Sequence, residues 1–280
     1  MSAPSHIRVT RDGAVGVLTI DRRERLNSLD VQTARDLRKA GLALARDAEV
    51  RCVVLAGTGG VFCSGADLKY IRAGGDARDL GYLSPEARGA SQGYGPIFKQ
   101  ILEYLHATIS ELRRAPKPVI AAVDGVAAAG GLGLAMCCDL VVASERSAFE
   151  FAYFKTALSG AESSTFFLPK MLGLRRAMDL ALLNPRLTAR DALAERMISA
   201  VFPDATFEDE VASLARRLAS GPTASYATAK RLMNEAMGVD RLDFHLDREL
   251  EGLARSADSR DFAEGLDAFF AKRPPKFEGH

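Results

Sequence analysis

Short apolar runs that end in glycine and lead into helical stretches constrain this chain more than any other feature. Cys52-Val-Val-Leu-Ala56 and Val119-Ile-Ala-Ala-Val123 offer no polar face, so each reads as a fully buried strand. The first run leads into Gly57 to Gly65, a loop with four glycines, and then into a short helix from Ala66. Asp124-Gly125 turns the second, and a helix of small residues opens near Gly130. Asp139 to Ala143 and Ala148 to Phe151 read as further short strands. Strand, turn and helix thus recur three times in the first half, which is the order of an α/β core.

The remaining segments fit around that core. Ile7–Thr10 and Val15–Ile20 flank Asp12-Gly13, a hairpin signal because a type I′ turn needs positive φ. A helix is predicted from about Asp30 to Asp47, capped by Asp30, with Leu37, Ala40 and Leu44 on one face. Ile97, Ile101, Leu105, Ile109 and Leu112 repeat at helical spacing until Pro116 and Pro118. Residues 73–95 are glycine-rich without clean periodicity and read as a loop, either a lid over a site or a solvated insertion. If it folds over a site, Asp76, Asp79 and Glu86 come within reach. From Ser163 onward the chain reads as mostly helical, with Thr188 to Met197 opening on a capping-box pattern, Thr188-Ala-Arg-Asp191. Residues 1–205 are expected to form the core that carries the site, and 206–280 a helical C-terminal region.

The chain carries 37 Lys+Arg against 36 Asp+Glu, a net charge of +1 over 280 residues. That balance lacks the footprint of a nucleic-acid or membrane-surface binder, so neither partner is expected. Gly125 to Cys138, the longest uncharged stretch, is too short and too glycine-rich to span a bilayer. The N-terminal residues lack the apolar core of a signal peptide. Cys52, Cys63, Cys137 and Cys138 form no CxxC pair and have apolar flanks, which predicts buried, reduced thiols in a cytoplasmic protein.

Two glycine-rich turns are the candidates for chemistry: Phe62-Cys-Ser-Gly-Ala-Asp-Leu68 and Asp124-Gly-Val-Ala-Ala-Ala-Gly-Gly-Leu-Gly-Leu-Ala135. Neither is a P-loop, and Gly131-Leu-Gly133 is an incomplete dinucleotide fingerprint. Unpaired N–H groups at a strand-to-helix turn point outward, and the helix dipole favours negative charge there. Two such turns facing each other would make an oxyanion hole, in which one donor is worth about 2.7–4 kcal/mol of barrier. Tight turning alone also accounts for the glycines.

Six stretches in order decide between these readings: Asp21-Arg-Arg-Glu-Arg-Leu-Asn27, Val53 to Leu68, Pro116 to Gly125, Ala129 to Asp139, Phe166-Phe-Leu-Pro-Lys-Met-Leu-Gly173 and Phe269 to Phe277. Over nearly its whole length the chain resembles the crotonase, or enoyl-CoA hydratase/isomerase, superfamily. The resemblance implies an α/β fold, a spiral of ββα-like units with a helical C-terminal region that packs between subunits. It further implies a homotrimer or hexamer, an acyl-CoA thioester substrate, and no metal or redox cofactor, since CoA arrives as part of the substrate. Carried over by motif, the oxyanion donors are the amides of Ala66 and Gly130. Arg25 falls where relatives place basic residues near the CoA phosphates, although a surface arginine also fits. Asp67 and Leu68 adjoin the acyl-CoA site, where Asp67 also suits a turn-shaping role, and Lys272 and Lys276 of the tail are further candidate cations.

The acid/base positions depart from the resemblance. Relatives that hydrate use two glutamates, and those positions fall here on Gly133 and Tyr153. Paired carboxylates split the acid and base roles, so standard hydration is not expected. Other branches use one acid further on, whose position falls on Ala161, with Glu162 one residue later. Glu162 is therefore the first candidate acid/base, against a solvated loop or helix-cap residue. Tyr153 reads as a hydrogen-bond donor or acid, or as wall packing. Glu150 alternates with Phe149 and Phe151 and should point away from the site, and a Lys69–His245 pair would mimic decarboxylating relatives. The leading expectation is isomerase-like proton transfer on an acyl-CoA. The alternatives are a decarboxylase or hydrolase, and a CoA-binding pseudoenzyme.

Overall fold

A hairpin opens the chain. β1 (Ile7–Asp12) pairs antiparallel with β2 (Val15–Ile20) across Gly13, which takes the positive φ that its turn demands. In this computed structural model residues 6–76, 79 and 93–280 are described. α1 (Val31–Arg46) follows, with the Asp30 side chain accepting from the Thr33 amide as its cap. The next strands alternate between two sheets. β3 (Cys52–Gly57), β5 (Val119–Val123) and β7 (Leu140–Ser144) lie in a six-stranded sheet of order β1-β2-β3-β5-β7-β10. β4 (Val61–Cys63), β6 (Val126–Ala128) and β8 (Ala148–Glu150) lie in a four-stranded sheet of order β4-β6-β8-β9. β2-β3-β5-β7-β10 are parallel throughout, as are β4-β6-β8, while β9 (Leu187–Thr188) closes the small sheet antiparallel. Each turn of the chain thus places one strand in each sheet, the spiral that the resemblance implied. The corners are tight: Gly125 has φ +80°, and a Cβ there would lie 1.8 Å from the Gly60 carbonyl oxygen.

The helices pack on both sides of these sheets. α2 (Leu68–Arg72) follows β4, α3 (Gly95–Arg114) precedes β5, and α4 (Gly130–Met136) follows β6. A 3-10 turn (Tyr153–Thr156) leads to α5 (Ser164–Leu172) and α6 (Leu174–Leu182). After β9 come α7 (Ala189–Ala194), β10 (Ala200–Phe202), α8 (Phe207–Ser220), α9 (Thr223–Ala236), α10 (Leu242–Ala257) and α11 (Arg260–Ala271). The main core runs from Leu18, Leu37 and Leu55 through Ile101 and Leu105 to Leu246 and Leu253. A second core lies on the other face of the large sheet, where Phe207, Val211, Ala215 and Ala219 of α8 cover Val15, Cys52, Val54 and Ile120.

Three expectations change. The segment Gly57 to Gly65 is not all loop, since β4 lies inside it. The helix expected over Thr188 to Met197 is shorter, α7, although its Thr188–Asp191 capping box is present in full. Ala200 to Phe202 adds an edge strand that the sequence reading missed. Glu86 and most of the 73–95 segment lie outside the described residues. All four cysteines are buried and free, and among the described residues no helix is long and apolar enough to cross a membrane.

Candidate active site

The two glycine-rich turns meet at one cavity of about 400 Å³. Ala66 from the first turn and Ala129 and Gly130 from the second line it. Among the described residues the amides of Ala66 and Gly130 meet no acceptor, since the neighbouring bridge to Leu29 uses Gly65 and Asp67. The two donors expected from the sequence are thus brought to one space. Ala129 sits at φ 46°, ψ −119°, a conformation that costs an alanine about 1–3 kcal/mol and persists because its surroundings dictate it.

Asp67 locks the first turn. Its carboxylate accepts from the Lys69 and Tyr70 amides as the cap of α2 and pairs with Arg22 (2.8 Å) and Arg25 (2.9 Å). Burial opposes the charge, but the Tyr70 amide and the two guanidinium groups outweigh it and lower the Asp67 pKa. Arg22 also holds Asp30 at 2.7 Å, which ties the loop before α1 to the turn. Arg25 lines the cavity, half-buried, with its guanidinium on Asp67. Leu68 lines it as expected, and so does Lys69.

Three positions converge on one carboxyl. Glu162 lines the cavity yet is buried, not solvated, and it caps no helix. A Cβ on Gly130 would lie 2.9 Å from Glu162 Oε1, so the carboxyl stands against the second turn. A Cβ on Gly133 would lie 2.0 Å from the Glu162 carbonyl oxygen and 2.8 Å from its Cβ. The space a side chain at 133 would need is therefore taken by Glu162 itself. Tyr153, also buried, places its hydroxyl 2.5 Å from Glu162 Oε2 and 2.9 Å from the Ala161 carbonyl. A phenol has one proton and the Ala161 carbonyl only accepts. When that proton goes to Glu162 Oε2, the bond favours the ionised carboxyl. Burial is the main cause that pushes the Glu162 pKa up, to about 8, with Glu249 adding to the rise and the Tyr153 bond opposing it.

Several sequence candidates lie elsewhere. Lys272 is exposed at the left-handed end of α11 and does not line the cavity; its neighbours Phe269 and Phe270 do. Lys276 is also exposed, with its amide on Glu264. His245 bonds Thr165 Oγ1 at 2.8 Å and does not line the cavity that Lys69 lines, so the pair imagined for decarboxylation does not form. Glu150 accepts from Asn184 and pairs with Lys155, away from the cavity as expected. Asp79 accepts from the Tyr70 hydroxyl, and neither it nor Asp76 lines the cavity.

The sequence reading missed Lys155 at the cavity and the apolar wall of Phe98, Leu158 and Leu253. It also missed Glu249, buried behind Glu162. A signal for it exists: Leu242, Leu246, Glu249 and Leu253 form the buried stripe of α10, and a carboxylate in an apolar stripe needs a buried partner.

Known proteins resemble the chain in sequence and in fold. The family model for enoyl-CoA hydratase/isomerase matches residues 10–89 and 95–280. The 1,2-epoxyphenylacetyl-CoA isomerase of Escherichia coli is 38% identical over 95% of this chain and 95% of its own length. A 4-chlorobenzoyl coenzyme A dehalogenase of an Arthrobacter species is 32% identical over 95% of this chain and 91% of its own. The crystal structure of an enoyl-CoA hydratase from Mycobacterium avium subsp. paratuberculosis superposes with a TM-score of 0.84 at 33% identity, covering 98% of this chain and 99% of that one. The chain belongs to the enoyl-CoA hydratase/isomerase family, within the crotonase superfamily, and is an enzyme of it.

Proposed function

We propose that the chain moves a proton on an acyl-CoA thioester, as in double-bond isomerisation, and does not carry out standard hydration. The observation that carries this reading is the buried carboxyl of Glu162 between Gly130 and Tyr153, with a pKa raised to about 8. Such a group passes between base and acid near neutral pH, where proton transfer is most efficient. In the proposed reaction the Ala66 and Gly130 amides hold the thioester oxygen, and Glu162 takes the α-proton as the enolate forms. Glu162, now protonated, returns that proton at the γ-carbon, and the double bond moves into conjugation. Tyr153 holds the carboxyl in place through both stages.

Hydration needs a second carboxylate to divide acid and base work. Among the described cavity residues the other carboxyls are Asp67, committed to Arg22 and Arg25, and Glu24, exposed at the rim. An isomerase of a CoA thioester stands among the relatives, which supports an isomerisation. Arg25, Lys69 and Lys155 at the rim suit the CoA phosphates, and CoA enters as part of the substrate with no separate cofactor. A cytoplasmic homotrimer or hexamer accompanies this reading, supported by Leu174, Met178 and Leu182, which stand exposed along one face of α6.

The test is a panel of acyl-CoA thioesters in deuterated water. The reading expects deuterium at the α- or γ-carbon with wild-type enzyme, and a loss of about 10²–10⁴-fold in Glu162→Gln. Unchanged exchange in the variant would remove Glu162 from the mechanism. Crotonyl-CoA hydration at rates typical of a hydratase would overturn the reading as a whole.

A further inference from the structure

Glu162 and Ser163 both adopt left-handed backbone, φ 51° and 67°, a pair of strained non-glycine residues in succession. Such a turn persists only when neighbouring groups dictate it. The neighbour is Glu249, from α10, some 86 residues further along the chain. Its carboxylate accepts from the Ser163 amide at 2.8 Å, from the Thr165 amide at 3.2 Å and from Thr165 Oγ1 at 2.5 Å. These three donors lie just past Glu162 on the same turn, so Glu249 grips that turn from the side away from the cavity.

Two imidazoles stand beside this carboxylate. From α3, His106 Nε2 lies 3.8 Å from Glu249 Oε2, buried and without a hydrogen-bond partner among the described residues. Burial lowers the His106 pKa to about 4, against the nearby Glu249 and Asp247. That histidine is therefore neutral at physiological pH. From α10 itself, His245 Nε2 lies 3.6 Å from Glu249 Oε1 and is partly exposed. On the cavity side Glu162 faces Tyr153 from the 3-10 turn and Cys63 from β4, neither of which supplies a cation.

We propose that Glu249 is a positioning residue for Glu162: it clamps the Glu162–Ser163 turn through the amides of Ser163 and Thr165 and so aims the Glu162 carboxyl into the cavity. This proposal rests on Glu162 being the acid/base. Like charges disfavour a second ionisation nearby, which is the direction in which Glu249 acts on Glu162. The two contributions are separable, because Glu249→Gln retains an acceptor for the turn and loses the charge, whereas Glu249→Ala loses both.

The experiment measures deuterium exchange into trans-3-hexenoyl-CoA across pH 5 to 10, with kcat and KM resolved, for wild type, Glu162→Gln, Glu249→Gln and Glu249→Ala. Alongside it, carbon-13 carboxyl resonances of glutamate-labelled protein are titrated, with the Glu162 signal identified by its loss in Glu162→Gln. In Glu249→Gln the Glu162 midpoint should fall by about one pH unit with KM within about twofold of wild type. In Glu249→Ala kcat should fall by about 10²-fold, as expected when a reacting group is misaimed. An unchanged midpoint in Glu249→Gln together with wild-type kcat in Glu249→Ala overturns the proposal while Glu162 stays in place. Full exchange in Glu162→Gln overturns the proton-transfer reading and this proposal with it.

Discussion

At the residue scale, Gly133 and Tyr153 both serve to place a third residue, Glu162. Gly133 leaves room that the Glu162 backbone occupies, and Tyr153 reaches the Glu162 carboxyl with its hydroxyl. Gly133→Ala should therefore be costly, because its Cβ would meet the Glu162 carbonyl at 2.0 Å inside packed core. We expect a loss of about 1–3 kcal/mol from overpacking, read as a fall in Tm. Restoring glutamate at 133 should fail for the same reason and should give no hydratase. Tyr153→Phe keeps the ring and its edge-on contact with Phe151, but removes the short bond that opposes the raised Glu162 pKa. The base limb of the exchange profile should then move to higher pH. A limb that stays in place would show that the phenol does not act on Glu162.

At the scale of elements, the first turn is held by charge and the second by shape. Asp67 caps α2 and neutralises buried Arg22 and half-buried Arg25. Asp67→Ala removes a cap and leaves the Arg22 guanidinium short of a buried partner, so a loss of about 3–5 kcal/mol is expected in denaturant titration. A loss below about 1 kcal/mol would mean that Asp67 only decorates the turn. These elements were legible to different degrees. The hairpin, the apolar strands and α3 could be read because each depends on local periodicity or turn chemistry. β4 and β6 were not, because three-residue strands carry too little pattern to separate from glycine-rich loop. The motif puts the Ala66 and Gly130 amides at the cavity, since backbone donors need only the right turn. Glu162 was left open between solvent and site, because its direction depends on a left-handed turn that Glu249 enforces from another helix.

At the scale of the whole molecule, two buried groups tilt stability with pH in opposite directions. His106 is held neutral, with its pKa lowered from 6.5 to about 4, so the folded state binds fewer protons than the unfolded chain in that window. Stability rises with pH there and is lost as pH falls. Glu162 is raised from 4.5 to about 8, so the folded state binds more protons than the unfolded chain across that range. Its contribution declines as pH rises. The two slopes offset each other below about pH 6.5, and above it the Glu162 slope stands without its counterpart. Between pH 6.5 and 8 the protein should lose stability by about 2 kcal/mol, and Glu162→Gln should flatten that decline. Urea titrations at several pH values check this, and a decline that persists in the variant would assign it to other groups.

The central claim is that one buried carboxyl does the acid and base work, and the pH dependence of deuterium exchange into a thioester tests it most directly. The account predicts a rate that climbs with pH and levels off near 8, where Glu162 becomes ionised, and that collapses in Glu162→Gln. A profile flat across this range, or one that Glu162→Gln leaves unaltered, would contradict it.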